Sequence, residues 1–248
     1  TKVKSAVSAE PLSVVGARNA ALAEAEAHLA PDGYFEWNAS ISGIVVQLRT
    51  NSPHLADFYQ ENFYPAAMDG ELEPHAVVYA VKDVPGREPH AGVSLDTATG
   101  FVLNTAFYGQ LRSAALSLAA EGAARTSGAL LVHAAALDRD GHGALVWGEP
   151  GSGRTAVLAA ALGHDGIRLV AAEDAFVRPS PDGPSADFPE RKLYLEAKWM
   201  KHLPEIEKLL DRTKLENLAV SRDQCHEDHA DGECPLDRGA AVCITASA

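Results

Sequence analysis

The chain has little of what several classes of protein depend on. Only three of its 248 residues are cysteine, and all three follow residue 224, which does not indicate a disulfide framework. No apolar run approaches the ~20 residues that a membrane-spanning helix needs, and the first residues are too polar for a secretory signal. These absences favour a globular protein of the reducing cytoplasm.

Positive charge is also scarce. Lys and Arg number 21 against 34 Asp and Glu, which gives a formal net charge of −13 at pH 7. Binding to nucleic acid and to anionic membranes depends largely on Lys and Arg that neutralise phosphates. We therefore expect neither nucleic acid nor a membrane as a partner. A small anion is still compatible with this charge, because backbone amides can bind it locally.

The first half of the chain has the mixed patterns of an α+β module, which we place at residues 1–127. Hydrophobic periodicity and turn residues define its elements. The predicted elements are helices over residues 12–30, 54–64 and 107–126, strands over 41–50 and 76–83, and a hairpin that turns near 96–100.

From residue 128 onward the pattern changes. Strands over 128–137 and 144–148 flank a tight polar turn and predict a hairpin. A helix follows residue 153 and is closed by Gly163. The remaining predictions are an apolar strand over 168–179 that ends in two acids, and a helix over 196–212 that is broken at Pro204. These elements define a second unit, residues 128–248.

The segment GEPGSGRT carries the most specific motif of the chain, Gly148-x4-Gly153-Arg154-Thr155. Glycines let a backbone wrap closely around an anion and point its N–H groups at phosphate oxygens. The following helix adds its positive dipole end, and the Thr155 hydroxyl suits Mg²⁺. The predicted phosphate-binding residues are Gly148, Glu149, Pro150, Gly151, Ser152, Gly153, Arg154 and Thr155.

The motif departs from the usual phosphate loop at one position, where Arg154 stands in place of lysine. Arginine keeps the positive charge but presents a planar fork on a longer stem. Binding of phosphate is therefore predicted more firmly than catalysis. The entry into the loop also differs from that of common nucleoside triphosphatases, because a hairpin precedes it.

The segments LLVHAAALDRDGHGALVWGEPGSGRT and RLVAAEDAFV resemble the catalytic core of HPr kinase/phosphorylase-like proteins. The resemblance covers roughly residues 128–178. It implies an α/β fold with a P-loop core of the type shared by HPr kinase and ATP-dependent phosphoenolpyruvate carboxykinase, here behind an N-terminal α+β module. The family's domain usually continues beyond such a segment, so the core at 128–248 is expected to be short or incomplete at its C-terminus.

The resemblance also implies roles for individual residues. His133 matches the histidine that the family carries on a strand near the phosphates, and Glu173 and Asp174 match its acidic pair. One acid would activate the acceptor hydroxyl and the other would help Thr155 to hold Mg²⁺. Glutamate replaces one aspartate of the family pattern, so which acid is the base stays open.

Two further groups of residues have both a functional and an ordinary interpretation. Arg191 and Lys192 could stabilise charge in the transition state, or they could belong to a solvated strand edge. By ligand type a zinc site is compatible with four residues near the C-terminus, although their spacing matches no short C-x2-C pattern. These residues are Cys225, His229, Cys234 and Cys243, and free thiols are the alternative.

Together these features predict a kinase that uses ATP and Mg²⁺ to phosphorylate a hydroxyl of a small molecule, protein or peptide. The catalytic candidates are Glu173, Asp174, His133, Arg154 and Arg191. A nucleotide-binding module without turnover is the alternative from another class, and a carboxykinase-like enzyme is a further one. The acceptor, the nucleotide base and the oligomeric state stay open.

Overall fold

The structure, a computed structural model, describes most of the first 196 residues. The described residues are 12–29, 33–66, 73–105, 108–149, 151–188, 190, 192–196 and 241–245, of which 12–19, 192–196 and 241–245 are described by their backbone alone. Several sequence predictions lie outside the described residues. These are Pro150, Arg191, nearly all of the helix over 196–212, and the zinc candidates Cys225, His229 and Cys234.

Helices separate groups of consecutive strands along the described chain. The helices are α1 Leu12–Leu29, α2 Pro53–Asn62, α3 Gly109–Ser127 and α4 Arg154–Leu162. The strands are β1 Phe35–Ile41, β2 Ile44–Thr50, β3 Tyr64–Pro65, β4 Ala76–Val81, β5 His90–Ser94, β6 Thr99–Leu103, β7 Leu130–Val132, β8 Ala134–Arg139, β9 His142–Trp147, β10 Ile167–Ala171, β11 Ala175–Arg178, β12 Ser185–Asp187, β13 Lys192–Glu196 and β14 Ala241–Thr245.

The N-terminal module is built on a six-stranded sheet in the order β3-β1-β2-β4-β6-β5. Strand β4 pairs in parallel with both β2 and β6, whereas the other neighbours pair antiparallel. Helix α2 follows β2 and is capped by Ser52, whose Oγ accepts a hydrogen bond from the Leu55 amide at 3.4 Å. The mixed sheet with its helices confirms the predicted α/β class.

Two helices cover the faces of this sheet. Helix α3 buries Leu111 and Ala119 completely, in one cluster with Leu48 of β2. Helix α1 contributes the buried Ala25 to a second cluster that includes Val81 of β4. Each fully buried aliphatic side chain stabilises the fold by roughly 1.5–3 kcal/mol relative to exposure. The module therefore holds α3 on a well-packed support.

The chain beyond α3 forms smaller layers. Strands β10, β8 and β9 make one three-stranded sheet, and β12, β11 and β7 make another. Helix α4 packs on the first of these sheets through Leu158, which is buried with Ala135 and Leu137. A third pairing joins β13 to β14, with Cys243 in the latter strand.

The same two stretches of chain pair in both small sheets. Ala136 of β8 lies opposite Ala171 of β10, and Val132 of β7 lies opposite Ala175 of β11. Residues 133–135 and 172–174 lie between these pairs, so the ladder is interrupted there. The interruption frees side chains that a regular strand would have placed on the two faces of a sheet.

Most predicted elements are confirmed with shifted ends. Helices α1 and α3 lie where the periodicity placed them, and β5 with β6 forms the hairpin expected near residues 96–100. The hairpin of β8 and β9 is confirmed as well. Helix α4 ends before Gly163, as predicted.

Three predicted strands are divided in the structure. The strand over 41–50 contains a hairpin turn, because Ser42 and Gly43 have φ of 51° and 83° and so reverse the chain between β1 and β2. The strand over 128–137 is divided at His133. The strand over 168–179 is divided into β10 and β11, so its two acids lie between strands rather than at the end of one.

Candidate functional site

The predicted phosphate loop connects the end of β9 to the start of α4. Gly153 is the N-cap of α4 with φ of 94°, and Gly151 has φ of 82°. Both values lie in the left-handed region, which glycine adopts without strain. A Cβ atom at Gly148 would lie 2.5 Å from Ser152 Oγ. Glycine therefore suits the backbone at Gly151 and Gly153, and a side chain at Gly148 would require the Ser152 hydroxyl to move.

The residue that caps α4 has no side chain. The N-cap Gly153 makes no side-chain capping hydrogen bond, so nothing from the cap residue occupies the first amides of the helix. The Ser152 amide donates to the Glu149 carbonyl at 3.0 Å, which closes the turn before the helix. Helix N-termini with free amides favour anions. Thr155 follows in the first turn and is half-buried.

Arg154 turns from this loop to the interruption at His133. Its Nη1 donates to the His133 carbonyl oxygen at 2.9 Å, and its Nη2 lies 2.5 Å from His133 Nε2. Arginine has no acceptor atom, so Nε2 accepts this hydrogen bond. The guanidinium that replaces the usual lysine is thus held by a residue 21 positions earlier in the chain.

His133 in turn contacts the acidic pair. Its Nδ1 lies 2.9 Å from Asp174 Oδ1, and an ionised carboxylate can only accept, so Nδ1 carries the proton. With Nε2 accepting from Arg154, the imidazole is neutral in the Nδ1–H tautomer. The interrupted ladder places this histidine, which is about half exposed, directly beside the acids.

Asp174 has a second partner from the N-terminal module. Arg112 lies in the first turn of α3, and its Nη2 donates to Asp174 Oδ2 at 2.7 Å. The same guanidinium binds Glu190 through Nε and Nη2, at 2.5 and 2.6 Å. Its Nη2 also lies 3.8 Å from Glu173 Oε2. Arg112 therefore gathers the three carboxylates of the site.

Burial strengthens this pairing. Glu190 is 2% exposed and the Arg112 side chain 16%. Burial alone would lower the pKa of Arg112, but its hydrogen bonds to Glu190 and Asp174 hold that pKa above its ordinary value. Burial raises the pKa of Glu190, and the nearby Asp174 and Glu173 raise it further, whereas the Arg112 guanidinium lowers it. Arg112 consequently stays charged at the centre of the cluster.

The cluster has an excess of negative charge. With the imidazole neutral, Glu173, Asp174 and Glu190 together carry one charge more than the two guanidinium groups neutralise. A bare triphosphate would be repelled by this balance, whereas a divalent cation would be attracted. Within the described part of the chain no three His, Cys, Asp or Glu side chains form a metal-binding group. A cation here would need further oxygen ligands, as Mg²⁺ commonly finds on phosphates and water.

The acidic pair is unequal. Both oxygens of Asp174 are engaged, by His133 and Arg112, and its side chain is 15% exposed. Glu173 is 44% exposed and is approached only at 3.8 Å by the same arginine. Glu173 is therefore the carboxylate that is freer to accept a proton.

The structure joins three of the predicted site residues in one hydrogen-bonded chain, from Arg154 through His133 to Asp174. Glu173 lies at its edge, and Pro150 and Arg191 lie outside the described residues. Sequence reasoning missed Arg112 and Glu190. The signal for Arg112 was weak: a single cation beside Leu111 at the start of an Ala- and Leu-rich helix.

Comparison with protein-family models gives no match for this chain. Comparison with curated proteins gives no significant match either. No helix among the described residues is long and apolar enough to cross a membrane.

Proposed function

We propose that this chain is a kinase that transfers a phosphoryl group from ATP to a hydroxyl of a small molecule, protein or peptide. One observation carries the proposal. Arg154 of the phosphate loop is linked by hydrogen bonds through His133 to Asp174, so the loop and the acids belong to one site. Phosphoryl transfer needs this combination of an anion-binding loop and carboxylates for a metal and an acceptor.

The loop fits a polyphosphate in its backbone chemistry. Gly151 and Gly153 have positive φ, and Gly148 leaves no room for a Cβ beside Ser152. The start of α4 would supply backbone amides and the positive end of the helix dipole. Residues 148–155 would bind the phosphates of the nucleotide, as the motif predicts.

The acids fit a magnesium site that is completed by the nucleotide. Thr155 and Asp174 are the residues that would hold Mg²⁺. When bound, Mg²⁺ would supply the positive charge that balances the phosphates and the excess of carboxylates. Asp174 is fixed in place by Arg112 and His133, and a carboxylate oxygen is a ligand that suits Mg²⁺.

Glu173 is the residue that we assign to the acceptor. Its exposed carboxylate would take the proton of the attacking hydroxyl, because Asp174 already uses both oxygens. A positioned general base contributes typically about 10²–10⁴-fold to a rate.

Transfer of labelled phosphate from ATP to a panel of hydroxyl compounds and peptides tests the assignment. Glu173→Gln should lower transfer about 10²–10⁴-fold and leave nucleotide affinity nearly unchanged. Glu121→Gln is the matched control, because Glu121 lies on α3 in an exposed pair with Arg125. Full activity of Glu173→Gln would contradict the role of Glu173 as base.

A second function is favoured by a specific observation. The Arg154 guanidinium is hydrogen-bonded to His133 rather than left free to contact a phosphate over the loop. This arrangement favours a nucleotide-binding regulatory module without turnover. The two functions differ in one measurement. Nucleotide binding without transfer to any acceptor, and without hydrolysis, would favour the regulatory module over the kinase.

A further inference from the structure

We infer that Arg112, on helix α3 of the N-terminal module, is a positioning residue that fixes the tautomer of His133 through Asp174. By doing so it sets where the Arg154 guanidinium rests. The tautomer follows from the hydrogen bonds alone. Its consequence for phosphoryl transfer rests on the proposed kinase function.

The first step is the hold of Arg112 on Asp174. The guanidinium is anchored in the protein by its two bonds to the buried Glu190, and α3 itself is fixed by the buried Leu111. The remaining bond, from Nη2 to Asp174 Oδ2 at 2.7 Å, therefore fixes the carboxylate in place. A planar fork can serve two carboxylates at once, which lysine cannot do in this geometry.

The second step is the hold of Asp174 on His133. With Oδ2 on Arg112, the other oxygen, Oδ1, faces His133 Nδ1 at 2.9 Å. An ionised carboxylate requires a proton on Nδ1, and the hydrogen bond that one ring nitrogen makes determines the state of the other. His133 Nε2 is thereby left with a lone pair that points away from Asp174.

The third step is the resting place of Arg154. Its Nη2 donates to the Nε2 lone pair, and its Nη1 donates to the backbone carbonyl of the same residue. A proton on Nε2 would face the guanidinium donor to donor and would expel it. The tautomer that Arg112 imposes is thus the condition for Arg154 to stay beside the loop in a defined position.

Nitrogen-15 NMR of the full chain, labelled at histidine, tests the inference without nucleotide. His133 should show the Nδ1–H pattern, with one protonated and one unprotonated ring nitrogen, and a His133→Asn spectrum assigns its signals. In an Arg112→Gln, Glu190→Gln double variant the pattern should change to averaged or exchanged shifts. The double variant removes both charges of the buried pair together, so no unpaired charge is left inside.

The matched control is an Arg125→Gln, Glu121→Gln double variant, which removes an exposed pair on the same helix. It should leave the His133 signals unchanged. Arg112→Lys keeps the buried charge and serves where the first variant loses its thermal transition. An Nε2–H tautomer in the natural chain, or an unchanged His133 pattern in whichever Arg112 variant folds, would overturn the inference.

Kinetics separate this inference from the proposed function. In the Arg112, Glu190 double variant, kcat should fall about tenfold to 100-fold, since misplaced groups lose rate, whereas KM for the nucleotide should change less than about threefold. Normal turnover with an unchanged tautomer would refute the positioning role and leave the kinase. A changed tautomer in a chain that binds no nucleotide would refute the kinase and leave the positioning role.

Discussion

The two halves of the described chain differ in where their stability and their chemistry lie. The N-terminal module has a six-stranded sheet with a helix on each face and buries most of its large apolar side chains. The loop half has small three-stranded sheets, and its strand β9 leaves Trp147 73% exposed and Leu145 47% exposed. The half that carries the phosphate loop therefore has little core of its own.

This difference gives Arg112 its importance. The loop half supplies His133, Arg154 and Asp174, but the side chain that orders them comes from the well-packed α3. Catalytic constellations need rigid support from the groups behind them. In this chain that support includes the Arg112 guanidinium and its buried partner, Glu190, beside other contacts between the halves such as the burial of Phe176 in the core of the N-terminal module.

The largest expected effect comes from removing the Arg112 guanidinium. Arg112→Ala leaves Glu190 buried without its partner and should lower the free energy of unfolding by about 3–5 kcal/mol. Arg168→Ala is the control in the loop half, because Arg168 is 72% exposed in its pair with Asp138 and should cost less than about 1 kcal/mol. Urea unfolding followed by circular dichroism measures both, and equal losses would remove the distinction between the halves.

The second prediction compares the core of the N-terminal module with the exposed surface of β9. Leu48→Ala opens a cavity beneath α3 at a fully buried position and should lower the free energy of unfolding by about 2–5 kcal/mol. Leu145→Ala, the same change on the exposed β9, should stay within about 0.5 kcal/mol. A large loss from Leu145→Ala would show that the β9 surface is covered in solution.

Some features of the molecule could be predicted from the sequence, and others could not. The conformation of the loop between β9 and α4 could be predicted because its glycines act locally, on the backbone of the loop itself. The division of strands at His133 and at residues 172–174 was not predicted. The stretch around His133 is apolar without a turn signal, and the acids Glu173 and Asp174 indicated the end of one strand rather than an interruption between two. Position along the chain gave no sign that these two interruptions face each other.

The role of Arg112 is a second feature that could not be predicted from the sequence. It lies 62 residues from Asp174 and 78 from Glu190, and a lone cation on a helix usually faces solvent. Only the packing of α3 on its sheet decides that this arginine turns inward. Its role is therefore a property of the tertiary structure, whereas the loop motif is a property of the sequence.

A smaller effect is expected on the other face of the N-terminal sheet, at its contact with helix α1. Burial first, and then a 2.7 Å hydrogen bond to Glu26 of α1, raise the pKa of Tyr79 to about 12. A pKa raised above its unfolded value gives stability that is complete below about pH 10. That stability is lost as the pH rises through 12.

Tyr79→Phe should therefore flatten the fall of the free energy of unfolding between about pH 10 and 12. At neutral pH it should cost about 1 kcal/mol for the lost hydrogen bond. Tyr34→Phe is the control, because Tyr34 is 44% exposed. An unchanged alkaline profile in Tyr79→Phe would contradict the coupling of α1 to the sheet through this side chain.

We propose that residues 148–155 bind a nucleoside triphosphate with Mg²⁺, and thermal denaturation of the full chain with ATP or GTP is the direct test of that binding. Nucleotide with Mg²⁺ at 100 times Kd should stabilise the fold by about 2.7 kcal/mol and raise Tm accordingly. Thr155→Ala should reduce that rise, whereas Thr126→Ala, at an exposed position on α3, should keep it. No change in Tm at millimolar nucleotide, with or without Mg²⁺, would contradict nucleotide binding by this loop.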